Sequence, residues 1–269
     1  MMLTTRNVTG APNWIDLGTP DLDGAGAFYG DLFGWRFRPG GPESGGYGFF
    51  QLDGRTTAGG MQTSDEQGPP SWTVYFRTPD ADATAKAAEE AHGSVLMQPT
   101  DVLDQGRMAL LADKSGVRFG LWQPGANKGL DVVREPGSLR WLELYTTDVP
   151  AAAGFYNATL GLETFALDFY GGTYTTLSPG SEGEDAMFGG LVDKADDPAE
   201  ARAPSYWLPY FEVTDTDAAV EKAREAGGTV RMPATDLPDV GRIAKLTDPY
   251  GARFAVIRSV DRQGVSDTP

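Results

Sequence analysis

The sequence predicts an α+β protein made of four copies of one β–α–β–β–β module, arranged as two tandem halves. Three observations predict it. The chain repeats itself at long range, an Asp-to-Gly spacing recurs four times, and alternating apolar segments flank each of those spacings.

The long repeat begins with Trp14-Ile15-Asp16-Leu17-Gly18-Thr19-Pro20-Asp21 against Trp141-Leu142-Glu143-Leu144-Tyr145-Thr146-Thr147-Asp148. A shift of 127 superimposes them and also carries Phe28-Tyr29 onto Phe155-Tyr156, Gly34 onto Gly161 and Tyr47 onto Tyr174. Further on the shift becomes 135, as if residues were inserted near Ser181–Asp185. It then matches Gly93 with Gly228, Gly106-Arg107 with Gly241-Arg242, and Asp113, Gly116 and Arg118-Phe119 with Asp248, Gly251 and Arg253-Phe254.

A shorter repeat lies within each half. Asp21, Asp80, Asp148 and Asp215 each precede a glycine by 13 residues: Gly34, Gly93, Gly161 and Gly228. Aspartate caps a helix by accepting from the free amides of its first turn, and glycine supplies the left-handed residue that ends one. About three turns of helix fit between, with Asp23, Asp82 and Asp217 well placed on the N-terminal dipole. A short alternating strand precedes each Asp. β-rich segments with Gly/Asp turns follow each Gly, in the first half Gly48–Leu52, Val95–Met97, Arg107–Leu111 and Val117–Trp122. Residues 12–124 and 138–258 form the two halves, with Gly125–Gly137 as linker and a polar, disordered tail after Ser259. Whether modules pair in sequence order or exchange between halves stays open at this point.

Composition narrows the function classes. The chain has 269 residues, enough for two cores, and no cysteine, so disulfides, thiolate metal sites and cysteine nucleophiles are excluded. A formal charge of −16 repels phosphate backbones, so nucleic acid is not an expected partner. No apolar run is long enough to span a bilayer and Met1–Pro12 has no secretory core, which points to a cytoplasmic protein without a membrane partner, monomeric or homodimeric.

The paired modules resemble the vicinal oxygen chelate superfamily (glyoxalase, bleomycin resistance, dioxygenase), in particular its tandem two-domain actinobacterial members, some of which accompany anthracycline biosynthesis. Trp-x-(Asp/Glu)-Leu-x-Thr-x-Asp, Phe-Tyr and Leu32-Phe33-Gly34-Trp35 carry the likeness across residues 12–258. It implies that paired modules curl into two glyoxalase-like open β-barrels. The family's metal-ligand positions fall on Trp14 and Thr73 with Gly120 in the first half, and on Trp141 and Leu208 with Ala255 in the second, none of them usual ligands. No metal and no cofactor are therefore expected. His92, the only histidine, sits at a helix end, in packing or solvent.

Residues two apart on a strand share a face. By the resemblance that face is the cavity for Trp14 and Asp16, for Tyr75 in the neighbouring module, and for Arg118 and Trp122 beside Gly120. The second half supplies Trp141, Glu143, Tyr145, Tyr210 and Arg253. Small Gly120 and Ala255 would leave room for a ligand. Each trough suits a hydrophobic or aromatic small molecule, and a cationic one would find ring faces and a carboxylate. Two other readings stand beside this. The aromatics could fill a closed core with Asp16 and Glu143 paired to Arg118 and Arg253, or Asp16 and Glu143 could serve as acid/base in a cofactor-free glyoxalase-like enzyme.

Overall fold

The protein is described by a computed structural model covering residues 8–260 except 170–171, 181–182 and 184–185. Residues 261–269, where a disordered tail is expected, lie outside the described residues, as does most of the Ser181–Asp185 stretch.

The first half runs β1 (Pro12–Thr19), α1 (Leu22–Phe33), β2 (Arg36–Pro39), β3 (Gly48–Leu52), β4 (Arg55–Gln62), β5 (Ser71–Arg77), α2 (Ala81–Glu90), β6 (Ser94–Val102), β7 (Gly106–Ala112) and β8 (Arg118–Pro124). The second repeats it as β9 (Leu139–Thr146), α3 (Val149–Leu160), β10 (Leu162–Phe169), β11 (Gly172–Pro179), β12 (Gly189–Asp193), β13 (Tyr206–Glu212), α4 (Thr216–Glu225), β14 (Thr229–Leu237), β15 (Gly241–Thr247) and β16 (Arg253–Ser259).

Each half is one eight-stranded mixed sheet, in the orders β2-β3-β4-β1-β5-β8-β7-β6 and β10-β11-β12-β9-β13-β16-β15-β14. The two modules of a half meet where β1 runs antiparallel to β5 and β9 to β13. Modules thus pair in sequence order. The sheets are open, as expected of glyoxalase-like halves, with β2 and β6 at the edges of one and β10 and β14 at those of the other.

All four helices start as the spacing predicts. The amides of Gly24, Ala83, Ala151 and Ala218 donate to the carboxylates of Asp21, Asp80, Asp148 and Asp215 at 2.9–3.0 Å. The ends divide into two kinds. Gly34 (φ 78°) and Gly161 (φ 68°) are the left-handed residues closing α1 and α3. After α2 and α4 that conformation falls one residue earlier, on His92 (φ 68°) and Gly227 (φ 87°). Gly93 and Gly228 are needed for space instead. A Cβ on Gly93 would lie 2.7 Å from the Phe155 ring and the Ala112 carbonyl, and one on Gly228 2.8 Å from the Thr247 carbonyl.

The helix faces of the two sheets meet, α1 against α4, α2 against α3, and β5 against β13. Rings of both halves interlock there, Phe33 with Phe211 and Phe76 with Trp207 at 5.1 and 5.4 Å. Two reciprocal polar bridges cross this core. Tyr29 donates to Asp248 (3.1 Å) and accepts from Trp72, while Tyr156 donates to Asp113 (3.4 Å) and accepts from Trp207. No helix among the described residues is long and apolar enough to cross a membrane.

Candidate functional site

With the helices packed centrally, the opposite face of each sheet points outward. Ile15 and Leu17 of β1 are wholly buried toward the helices, and the alternation turns Trp14 and Asp16 to the outer face. Tyr75 stands opposite Trp14 on β5, and Asp16 lies between Thr73 and Gly59.

These side chains form one cluster. Asp16 accepts from the hydroxyls of Tyr75 (2.9 Å) and Tyr47 (3.3 Å), and the Trp14 indole donates to Tyr47 (2.7 Å). Asp16 is only 6% exposed. Burial pushes its pKa up to about 6 against the opposing pull of the Tyr75, Tyr47 and Thr73 hydroxyls. Burial, and next the Asp16 charge, raise the tyrosines well above their ordinary range, so both remain donors.

The cluster depends on two glycines. A Cβ on Gly59 would lie 1.9 Å from the Tyr47 hydroxyl, and one on Gly120 2.0 Å from the Tyr75 ring. Gly120 therefore makes room for Tyr75 rather than for a ligand. The rest of the face is half-buried and largely apolar: Phe49, Met61, Thr73, Met97 and Leu110.

Arg118 and Trp122 stand apart from Asp16. Arg118 is exposed at the rim and donates to the Gln67 carbonyl (3.2 Å), and Trp122, packed on Gly106, donates to the Asn127 carbonyl (3.1 Å) in the linker. The pairing of Asp16 with Arg118, and of Glu143 with Arg253, does not form. Arg253 lies over the Tyr206 ring (4.8 Å) and 3.7 Å from Glu200. His92 is exposed.

The second half repeats the cluster and adds to it. Glu143 accepts from Tyr210 (2.6 Å), Tyr145 (2.7 Å) and Tyr174 (2.9 Å), and Trp141 donates to Tyr174 (2.9 Å). Lys245, almost fully buried, contacts Asp197 and the Tyr145 hydroxyl. Arg231 holds Glu200 through both carboxylate oxygens at 2.7 and 2.8 Å. Asp197 and Glu200 belong to the connection between β12 and β13. Strand register shows the repeat shift to be 131 at Gly190 and 135 at Tyr206, so half of the second half's extra length lies in this connection rather than all near Ser181–Asp185.

Lys245, Arg231, Asp197, Glu200 and Tyr206 were not found by sequence reasoning. The signal was a departure from the repeat: Lys245, Arg231, Tyr145 and Tyr206 stand where the first half has Leu110, Leu96, Gly18 and Ser71. The second outer face accordingly carries charged groups and an added segment at its edge, whereas the first is largely apolar around a buried carboxylate.

The donor set does not fit a divalent ion. The positions that the resemblance assigns to metal ligands carry indole, hydroxyl or aliphatic groups or, at Gly120, no side chain, and Asp16 already accepts from two tyrosine hydroxyls. Among the described residues no group of three or more His, Cys, Asp or Glu is arranged to hold a metal.

The model of the Glyoxalase/Bleomycin resistance protein/Dioxygenase superfamily matches residues 11–121 and again 138–256. Anthracycline biosynthesis protein DauV of Streptomyces sp. (strain C5) is 40% identical over 268 residues, covering 94% of each chain. CFP32 of Mycobacterium tuberculosis (strain CDC 1551 / Oshkosh) is 37% identical over 262 residues, covering 94% of this chain and 97% of its own. Among solved structures, 2,2',3-trihydroxybiphenyl 1,2-dioxygenase from Sphingomonas wittichii strain RW1 superposes with a TM-score of 0.64 at 16% identity, covering 94% of this chain and 91% of that one. At that identity the likeness is one of fold.

Proposed function

Because this chain belongs to the glyoxalase/bleomycin resistance protein/dioxygenase superfamily, with two tandem copies of its domain, we propose that it binds an aromatic small molecule on the outer face of its first half, without a metal ion. The observation that carries this reading is the difference between the two faces. The first presents half-buried, largely apolar Phe49, Met61, Met97 and Leu110 around a floor of Trp14, Asp16, Tyr47 and Tyr75, where the second carries charged side chains. Apolar walls with a few fixed polar groups are the usual make-up of a small-molecule site.

The ligand meets Phe49 and Tyr47 as the accessible rings, Trp14 and Tyr75 as their backing, and Arg118 at the rim. Ionised Asp16 would favour a ligand bearing an amine, as would the acidic charge of the whole chain. The anthracycline pathway in DauV's name supports a polycyclic aromatic ligand and a role in natural-product biosynthesis or resistance.

The test is titration of intrinsic tryptophan fluorescence with aromatic polyketides, with and without an amino sugar. Phe49→Ala should weaken binding roughly tenfold through lost stacking and burial. Asp16→Asn should weaken only the amine-bearing ligands. Absence of quenching by every compound at micromolar concentration would overturn the reading.

One observation favours a second reading, a cofactor-free enzyme. A carboxyl whose pKa rises to about 6 is tuned toward proton transfer near neutral pH. Turnover of a bound compound by wild type, lost in Asp16→Asn with binding of neutral ligands retained, would establish it.

A further inference from the structure

The outer face of the second half carries an arrangement the first lacks. Its strands bring up three cations, Lys245, Arg231 and Arg253, while the strand carboxylate Glu143 is held by tyrosine hydroxyls. Asp197 and Glu200 then arrive from the β12–β13 connection and seat themselves on those cations. Asp197 meets Lys245 and the Tyr145 hydroxyl (3.4 Å). Glu200, wholly buried, takes both guanidinium nitrogens of Arg231 and the Tyr206 hydroxyl (2.7 Å), with Arg253 3.7 Å away.

Each carboxylate thus has a cation as its receptor and a tyrosine hydroxyl within reach, that of Tyr145 being shared with Glu143 (2.7 Å). The two receptors lie side by side, because Tyr145 and Tyr206 are partners across β9 and β13 and their rings stack 5.7 Å apart at 20°. The buried Arg253 nitrogen nearest Glu200 is 3.7 Å from it and makes no hydrogen bond, so this carboxylate meets Arg253 as a charge only. Asp197 and Glu200 are the carboxylates that pair these three buried or half-buried cations among the described residues, and without them the cations would be left uncompensated, which a protein interior does not tolerate.

We propose that this face is a binding site for a small diacid, and that Asp197 and Glu200 occupy it as a built-in competitor. A ligand with two acidic groups about one stacked-ring spacing apart would replace both carboxylates at once and restore the charge balance. A tethered competitor acts at an effective concentration in the millimolar range, so the free site binds more tightly than the intact chain reveals. The site lies in the half opposite the aromatic site proposed above, and each stands or falls without the other.

Calorimetric titration with isophthalate, against benzoate and sulfate at matched ionic strength, tests the idea. The double variant Asp197→Asn, Glu200→Gln removes the competitor's charges and keeps its shape. It should bind isophthalate about tenfold or more tightly than wild type, and Lys245→Met in that background should abolish the gain. Wild-type chain gives an independent readout: high isophthalate should accelerate hydrogen exchange of the Ala195 and Ala199 amides, which hydrogen bonds to Asp193 and Asp197 now hold. A folded double variant that binds no better than wild type overturns the proposal. So do binding indifferent to Lys245→Met, gains equal for benzoate or sulfate, and exchange rates at both amides that isophthalate leaves unchanged.

Discussion

Asp16 shows how one residue can be held by neighbours that favour its charge inside surroundings that disfavour it. The hydroxyls of Tyr75 and Tyr47 lower its pKa, yet burial outweighs them and the value climbs from 3.8 to about 6. The native state then holds this proton more tightly than the unfolded chain does. The associated stability is fully present below pH 3.8 and is lost as pH rises through 6, a span of roughly 3 kcal/mol. Asn at position 16 keeps an acceptor for both tyrosines and cannot ionise. Asp16→Asn should therefore match or exceed wild-type stability at pH 8, and its denaturant midpoint should change less between pH 4 and pH 7. A variant whose pH dependence runs parallel to wild type would show that Asp16 is not the group responsible. Strand alternation made Trp14, Asp16 and Tyr75 legible as neighbours from sequence. Tyr47 was legible only as a repeated residue. Its approach to Asp16 comes from outside a strand and over Gly59, and no local pattern encodes it.

At the scale of elements, the Asp-to-Gly spacing located all four helices because it names a chemical event at each start. It could not distinguish two uses of glycine at their ends. Gly34 and Gly161 serve backbone conformation, whereas Gly93 and Gly228 serve close approach to a neighbouring strand of their own half and to a ring of the other, which the local sequence does not contain. The distinction is measurable at adjacent positions. His92 carries a side chain at φ 68° where its counterpart is Gly227, so His92→Gly should stabilise by about 0.5–1 kcal/mol. Gly93→Ala should instead destabilise by about 1–3 kcal/mol, because the Ala112 carbonyl is backbone and cannot yield. Thermal denaturation of both variants checks the pair, and equal effects of one sign would contradict it.

Taken as a whole, the molecule places its largest shared core between the two halves rather than within either. Phe33, Phe76, Phe211 and Trp207 bury their rings against residues from the opposite half, and the two tyrosine–aspartate bridges cross the same plane. Burial lifts both aspartates above the ordinary carboxylate range, so each bridge sits where water does not compete freely. Unfolding one half would strip this surface from the other. Calorimetry should record a single transition, and Tyr29→Phe should lower its midpoint without splitting it, at a cost of about 1 kcal/mol. Two resolved transitions would show that the halves are independent. None of this was legible in the sequence, where either manner of module pairing satisfied the repeat.

The reciprocal bridges have a consequence for how the two outer faces came to differ. Tyr29 reaches Asp248 as Tyr156 reaches Asp113, so the contact between halves is self-complementary, like that of a symmetric dimer of half-length chains. In such a dimer every substitution is made twice, and a segment inserted over one face would be inserted over both. Joining the copies through residues 125–137 removes that obligation while leaving the symmetric contact in place. One face could then stay apolar while the other acquired Lys245, Arg231 and the segment that pairs with them. Covalent continuity here contributes less to holding the copies together than to allowing them to become unlike.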